Sequence, residues 1–305
     1  MARPTSLFNS ERFITIAATG FTDGLYPQTH KAQLSVLMID HPPKMQKVAY
    51  PVYLINLDDS TKRLETSERQ LAQHHIPYHR ISAINGKGRT CADFPEYNAR
   101  SSRRYYGRDM TGGEIACHLS HIKALQTFIA SGRSHCLILE DDFLCKAHCW
   151  EIVDAVSALA TEGVLGDWDL INLTRKVSGS GLKSPIHMIE IGSDRTELYN
   201  AFYFPTRAAA IMWSRTGATR FVEQHAIPFC PIDHLFRKYV SETGRGLGLS
   251  HTPFWFTDED SDIMAASPTW EKPAKVSFYR IKEFTRQAKC IFNAYRQKRA
   301  FDAKQ

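Results

Sequence analysis

The stretch Cys136-Leu137-Ile138-Leu139-Glu140-Asp141-Asp142 constrains this chain most. Four residues of apolar character stop at three consecutive acids. The run is short and follows Arg133 and Ser134, so it reads as a buried strand. In an open α/β sheet the acids then sit at the strand's carboxyl end, where such sheets bind their ligands. Three adjacent carboxylates repel one another. A divalent cation relieves that repulsion, because hard cations take oxygen ligands. A cation carrying a phosphate would make this a nucleotide site. A solvated acidic turn after a core strand accounts for the stretch, taken alone, equally well.

The 305 residues suffice for one large α/β domain or two small ones. At 43% hydrophobic and 23% charged, the composition is that of an ordinary soluble protein with ample material for a core. No apolar run approaches the ~18 residues of a membrane span. The opening Met1-Ala2-Arg3-Pro4 leads into no continuous apolar segment, so a secretory signal is not expected. Seven cysteines, odd in number and scattered, fit reduced thiols in a cytoplasm. Cys145 and Cys149 with His148 have no second ligand pair at zinc spacing, so zinc is not expected. The net charge of +6 is concentrated at one end. From Trp270 to Gln305, ten Lys and Arg face Glu271, Glu283 and Asp302, a net of +7. A basic end of this kind suits a polyanionic neighbour such as an anionic membrane surface.

Three regions follow: residues 1–46 as an N-terminal extension, 47–268 as the main domain, and 269–305 as a basic C-terminal helix. In the first, Arg12 to Ala18 and Leu34 to Ile39 are β-prone. Val48 to Leu57 reads as a strand that starts late because of Pro51. Ser60 to His75 reads as an exposed helix, and Tyr78 to Ile84 as a second strand. Residues 87–110 read as a loop. Thr111 and Glu114 form a capping box for a helix that ends at Ser131-Gly132. Beyond the acids, helices are expected over Cys149 to Ala160, Ser214 to Gln224 and Asp233 to Val240. Strands are expected over Trp168 to Leu173, Leu198 to Thr206, Ala208 to Trp213 and Leu249 to Phe256, with loops over Lys176 to Ser184 and Gly244 to Gly248. In the tail, Ile281, Phe284, Ala288, Ile291 and Tyr295 recur at steps of three and four amid Lys and Arg. That stripe would serve a helix docked on the core or one lying on an anionic membrane. No nucleic-acid motif accompanies it, so nucleic acid is not an expected partner.

Several blocks line up in order. Val52 to Leu57 with Arg63 comes first, then Gly113-Glu114-Ile115-Ala116-Cys117 with Ser120-His121. Leu139-Glu140-Asp141-Asp142 and Asp167-Trp168-Asp169 follow. Ala210 to Ala218, Pro231-Ile232-Asp233-His234 and Ser261-Asp262-Ile263 close the set. Over about residues 50–265 the chain resembles glycosyltransferase family 25, which builds lipopolysaccharide and lipooligosaccharide in Gram-negative bacteria and has collagen galactosyltransferases as larger relatives.

The resemblance implies an α/β fold of GT-A type: a Rossmann-like nucleotide-binding sheet with an acceptor-binding half. It implies inverting, metal-assisted transfer of a sugar, galactose by preference, from a UDP-sugar to a lipid-linked oligosaccharide. The place of action would be the cytoplasm, at the inner face of the inner membrane. On the family pattern Asp142, with Glu140, holds Mn²⁺ or Mg²⁺, and Asp141 contacts metal or ribose. Asn56, Leu57 and Arg63 lie where uracil and ribose would be received, and Glu114, Ser120 and His121 face the same region. Glu114 also has its capping box to serve, and a buried, hydrogen-bonded His121 is an equal account of that residue. Inversion needs a general base. Asp233 is the first candidate, in apolar surroundings that favour the protonated form. Holding the acceptor or capping a short helix are its alternative roles. His251 is a lesser candidate metal ligand. A non-catalytic nucleotide- or glycan-binding module and a metal-dependent phosphohydrolase would use the same acids.

Overall fold

The computed structural model describes residues 36–39, 49–177, 182–256 and 275–305. The β-prone run at 12–18 and the acids at 258–262 lie outside them.

The chain order is β1 (Val36–Ile39), β2 (Val52–Asn56), α1 (Thr61–Gln73), β3 (His79–Ser82), α2 (Ala99–Tyr105), α3 (Gly112–Ala130), β4 (His135–Glu140) and β5 (Phe143–Cys145). Then come α4 (Cys149–Thr161), β6 (Leu170–Asn172), β7 (Lys183–Ile191), β8 (Asp194–Ala201), β9 (Ala210–Ser214), α5 (Arg215–His225), α6 (Ile232–Thr243), β10 (Gly246–Leu249), β11 (Phe254–Phe256) and α7 (Tyr279–Asp302). Among the described residues, nine strands form one mixed sheet in the order β1-β7-β8-β10-β6-β9-β4-β2-β3, and β5 pairs with β11 in a separate ribbon. This is an α/β fold, consistent with the GT-A type.

The apolar run before the acids is the sheet's interior. β4 lies between β2, parallel to it, and β9, antiparallel. Both faces are covered, which explains an unbroken apolar run in place of alternation. Leu137 and Leu139 join Val52, Leu54, Met212 and the α4 residues Val153 and Val156 on one face. Cys136 and Ile138 join Tyr53, Ile55, Trp213 and the α3 residues Leu125 and Phe128 on the other. The α3 helix starts as expected: Thr111 Oγ1 accepts the Glu114 N–H at 3.1 Å, and Glu114 Oε2 accepts the Thr111 N–H at 2.9 Å. Its first turn approaches the loop after β3 so closely that a Cβ on Gly112 would lie 2.2 Å from the Arg89 carbonyl oxygen.

The topology places the site. The β2–α1–β3 crossover runs to one side of β2, and the β3–α3–β4 connection returns past it to the other. The carboxyl ends of β2 and β4 therefore flank a topological switch point, the crevice where doubly wound sheets receive ligands.

Four local expectations are corrected. The 87–110 loop contains α2, capped by Asn98, whose side chain accepts the Ser101 N–H. The hairpin of β7 and β8 was not read as a pair of strands; its turn is Gly192-Ser193, with Gly192 at φ 59°. The expected 244–248 loop starts with an αL cap at Gly244 but enters β10 at Gly246. The expected strand from Leu249 to Phe256 is two strands in different sheets, broken at residues 250–253. The partners of β10 and β11 are distant in sequence, so local pattern does not define those two strands.

Candidate active site

Asn56 ends β2 and Asp141 follows β4, so parallel pairing brings them together. Asn56 Nδ2 donates to Asp141 Oδ2 at 2.7 Å, and Arg63 Nη1 donates to Asp141 Oδ1 at 3.1 Å. Asn56 Oδ1 in turn accepts from Arg80 Nε and Nη2 at 3.0 and 2.9 Å. Asn56 is 1% exposed, so its amide is fixed in orientation by these bonds. Asp141 thus has both carboxylate oxygens occupied by protein donors. Arg80 belongs to this network and was not singled out from sequence; its place four residues before the Ile84-Asn85-Gly86 bend carries no local signal.

Glu140, the last residue of β4, is held from α3. His121 Nε2 hydrogen-bonds Glu140 Oε1 at 2.8 Å, and the Cys117 thiol lies 3.9 Å from the same oxygen. The ligand atoms of Cys117, His121 and Glu140 lie within 4.8 Å of one another. Burial pushes the Cys117 thiol well above its usual range, and Glu140, Asp233, Asp142 and Glu114 push it further. It therefore stays a neutral thiol, which is a poor ligand for a soft metal. The Glu140 N–H donates to the Ala209 carbonyl at 2.9 Å and the Arg207 N–H to Asp233 Oδ2 at 3.3 Å, so the 207–209 segment links Asp233, far along the chain, to the end of β4.

Asp142 differs from its neighbours. Its Oδ1 is buried and has no hydrogen-bond partner. Its pKa is pushed up to about 7, first by burial and then by the charge of Glu140. A buried carboxylate oxygen left without a donor, beside a second carboxylate, fits a divalent cation. Asp142 would hold it together with Glu140, as oxygen donors suited to Mn²⁺ or Mg²⁺.

Known proteins resemble part of this chain. Residues 49–169 match the model of glycosyltransferase family 25 (LPS biosynthesis protein). Those residues are similar to a family 25 glycosyltransferase domain. Procollagen galactosyltransferase 1 of Danio rerio is 28% identical over 151 residues, 47% of this chain and 24% of the relative. Procollagen galactosyltransferase 1-B of Xenopus laevis is 27% identical over 176 residues, 56% of this chain and 28% of the relative. A glycosyltransferase 25 family member of Anopheles gambiae is 27% identical over 150 residues, 48% of this chain and 25% of the relative. The matches span about a quarter of the length of these relatives. The resemblance read from sequence reached about residue 265, whereas the family match ends at 169.

The other sequence-derived residues take these places. Leu57 follows β2, and its carbonyl accepts the Ser60 N–H at 3.0 Å, closing the turn into α1. Glu114 serves the capping box and also binds Arg108, whose Nη2 lies 2.6 Å from Oε1. Ser120 is 2% exposed and fully engaged, donating to the Ala116 carbonyl at 2.7 Å and accepting the Ile84 N–H at 2.9 Å. It joins α3 to the loop after β3. Asp167 and Asp169 lie before β6, at the opposite edge of the sheet from the acids by strand register. Asp169 is bound by Arg220 and by the Tyr239 hydroxyl at 2.6 Å, so that motif ties β6 to α5 and α6.

Asp233 lies in the first turn of α6. Its Oδ1 accepts the His234 N–H at 2.7 Å, and its Oδ2 accepts the Arg207 N–H at 3.3 Å. Arg207 has φ 83°, unfavourable for a side-chain-bearing residue, and is held there by Asn172 Nδ2, which donates to its carbonyl at 2.9 Å. Its guanidinium lies 4.2 Å over the Phe256 ring, and Phe256 pairs with Phe143, the residue after Asp142. Strain of this kind persists where the surroundings over-determine it. Sequence offers no marker for Arg207, because its conformation is imposed by partners distant in sequence. His251 is not with the acids. It lines a separate cleft of about 900 Å³ with Lys146, Arg175, Lys176, Arg195 and Trp255.

Among the described residues no helix is long and apolar enough to cross a membrane.

Proposed function

We propose that this protein is an inverting glycosyltransferase that moves a sugar, galactose by preference, from a UDP-sugar to a lipid-linked oligosaccharide. The observation that carries the reading is the buried Asp142 Oδ1, without a hydrogen-bond partner, beside Glu140 at the switch point of a domain similar to family 25. The names of the procollagen galactosyltransferases support galactose as the sugar, and the family's description supports a lipopolysaccharide-type acceptor.

In this mechanism Asn56, Arg63 and Arg80 fix Asp141 and shape the end of β2 for the nucleoside. His121 orients Glu140, leaving Glu140 and Asp142 to hold a divalent cation. When bound, that cation supplies Lewis-acid stabilisation of the negative charge growing on the departing diphosphate. Asp233 acts on the acceptor side. The bond from the anomeric carbon to the diphosphate breaks as the acceptor oxygen bonds to that carbon from the opposite face. Asp233 takes the hydroxyl proton, with its orientation held by the His234 and Arg207 amides. The cleft beside Trp255 is the proposed place for the remainder of the acceptor glycan, since an exposed indole gives a sugar an apolar face to lie on.

Calorimetric binding of UDP, with and without Mn²⁺, tests the site on the parent and on Asp142→Ala. Binding that requires Mn²⁺ and is lost in the variant is expected. Equal binding without metal, or an unaffected variant, overturns the reading. Release of free sugar from UDP-sugar at a rate equal to transfer would make the protein a hydrolase instead.

A further inference from the structure

The C-terminal helix was expected to be amphipathic, and its docking is the reverse of the simplest arrangement. α7 packs on α6 and α2 through Arg286, Cys290 and Ala294, which are its buried residues. The Arg286 guanidinium lies 4.4 Å over the Tyr106 ring, Cys290 meets the Tyr105 hydroxyl at 4.0 Å, and Gln297 donates to the Glu242 carbonyl. Phe301 rests on Phe202 with ring centroids 5.7 Å apart. These contacts fix the rotation of the helix about its axis.

The apolar stripe therefore faces outward. Phe278, Ile281, Phe284, Ile291, Phe292 and Tyr295 are all exposed, Phe284 by 72% and Phe292 by 63%. Only Val164, Ile227 and Trp255 are comparably exposed elsewhere among the described residues, and they are scattered. At 3.6 residues per turn, Ile281, Phe284, Ala288, Ile291, Phe292 and Tyr295 share an arc of about 100°. Arg280 and Lys298 border the arc on one side, Lys289 and Arg296 on the other, and Arg299 lies at its end. Lys298 pairs with Asp302, whereas Arg280, Lys289, Arg296 and Arg299 make no ion pair among the described residues. Along Tyr279–Asp302, seven basic residues stand against Glu283 and Asp302.

We infer that this face of α7 docks on an anionic lipid bilayer, with the helix lying in the plane of the headgroups. An apolar arc with basic borders is the pattern of an interfacial helix: the rings enter the acyl boundary while the cations stay with the phosphates. Charge selects this occupant over a second copy of the chain. Two such faces packed together would bring basic borders of one sign against each other, which disfavours the pairing. An anionic surface satisfies both borders at once. Because the inner face of α7 also meets α6, which carries Asp233, docking would hold the acceptor side of the molecule next to the membrane. The docking surface does not rest on the glycosyl-transfer reading, since vesicle binding is measured without nucleotide or sugar.

The test is co-sedimentation of the full chain with vesicles of phosphatidylcholine alone and of phosphatidylcholine containing about a third phosphatidylglycerol. Partitioning at least about tenfold stronger on the anionic vesicles, and weakened by salt, is expected. Phe284→Ser combined with Phe292→Ser should lower it by about tenfold or more with an unchanged far-ultraviolet spectrum and melting temperature, since both rings are exposed. Lys289→Glu combined with Arg296→Glu should abolish the preference for anionic lipid. Equal binding to both vesicles, no binding, or unaltered binding by the double Ser variant overturns the inference. So does a concentration-dependent dimer in analytical ultracentrifugation that the double Ser variant abolishes, which would assign the face to a second copy.

Discussion

Asp142→Asn replaces an ionisable side chain by a neutral one of the same shape, at the group on which the proposed site depends. The parent carboxyl has its folded pKa at about 7, raised from 3.8 by burial and by Glu140. A raised folded pKa means that the native state prefers the proton. The ionised carboxylate therefore costs nothing below the unfolded value. Its cost grows as pH rises above 3.8 and is complete once pH passes about 7. A shift of about three units corresponds to roughly 4 kcal/mol at 1.36 kcal/mol per unit, and sharing of the repulsion with Glu140 reduces the expected value to about 2 kcal/mol. At about 2.1 cal/mol/K of unfolding entropy per residue, that is about 3 °C in melting temperature for a chain of 305 residues. The assay is thermal melting by circular dichroism in EDTA. Asp142→Asn should melt higher than the parent by about that amount at pH 8, and by only about a quarter of it at pH 4.5. Mn²⁺ at pH 8 should raise the melting temperature of the parent and leave that of the variant unchanged, because a ligand stabilises only the state that binds it. A variant no more stable than the parent at pH 8 in EDTA would refute the reasoning, as would a gain equal at both pH values.

Other expectations follow from the same geometry. Asn56→Ala leaves Asp141 without its 2.7 Å donor and Arg80 with Asp58 in place of two acceptors, so a loss of about 1–3 kcal/mol in urea unfolding is expected together with weaker UDP binding. Gly112→Ala drives a methyl group into the Arg89 carbonyl and should cost about 1–3 kcal/mol, read as a lower urea midpoint at unchanged slope. His118 and His225 have their pKa values lowered from 6.5 to about 4, chiefly by burial. They stay neutral in the fold, so they withdraw stability as pH falls from 6.5 toward 4, and acid titration of the melting temperature checks this. The Cys145 thiol is lowered chiefly by its interaction with the Cys149 thiol, while burial raises Cys117, Cys136 and Cys230. Iodoacetamide with peptide mapping should find Cys145 alkylated ahead of those three, and still so at mildly acid pH.

Much of the scaffold was legible because its signals are local. The apolar run from Cys136 to Leu139 demanded a strand covered on both faces, and two helical layers cover it. The Thr111 and Glu114 pair specified the start of α3 three residues apart, within one helical turn. The β7–β8 hairpin carries a local signal of its own: Gly192-Ser193 stands between runs that alternate His187, Ile189, Ile191 and Thr196, Leu198. Pro185 near the start of β7 obscured it.

By itself, then, the sequence determined which segments are buried, where α3 begins, and that three acids end the central strand. These depend on neighbours a few residues away, where chain connectivity dictates geometry. Tertiary structure alone decided the fate of each acid. Asn56 and Arg63 occupy Asp141, His121 engages Glu140, and one oxygen of Asp142, Oδ1, is left buried without a hydrogen-bond partner. It alone brought Asp233 and the strained Arg207 to that end of the sheet, and turned the apolar stripe of α7 to solvent. Each of these is set by which groups from distant segments reach a side chain first, and by the desolvation that follows. Hydrophobic period and residue type carry no information about either.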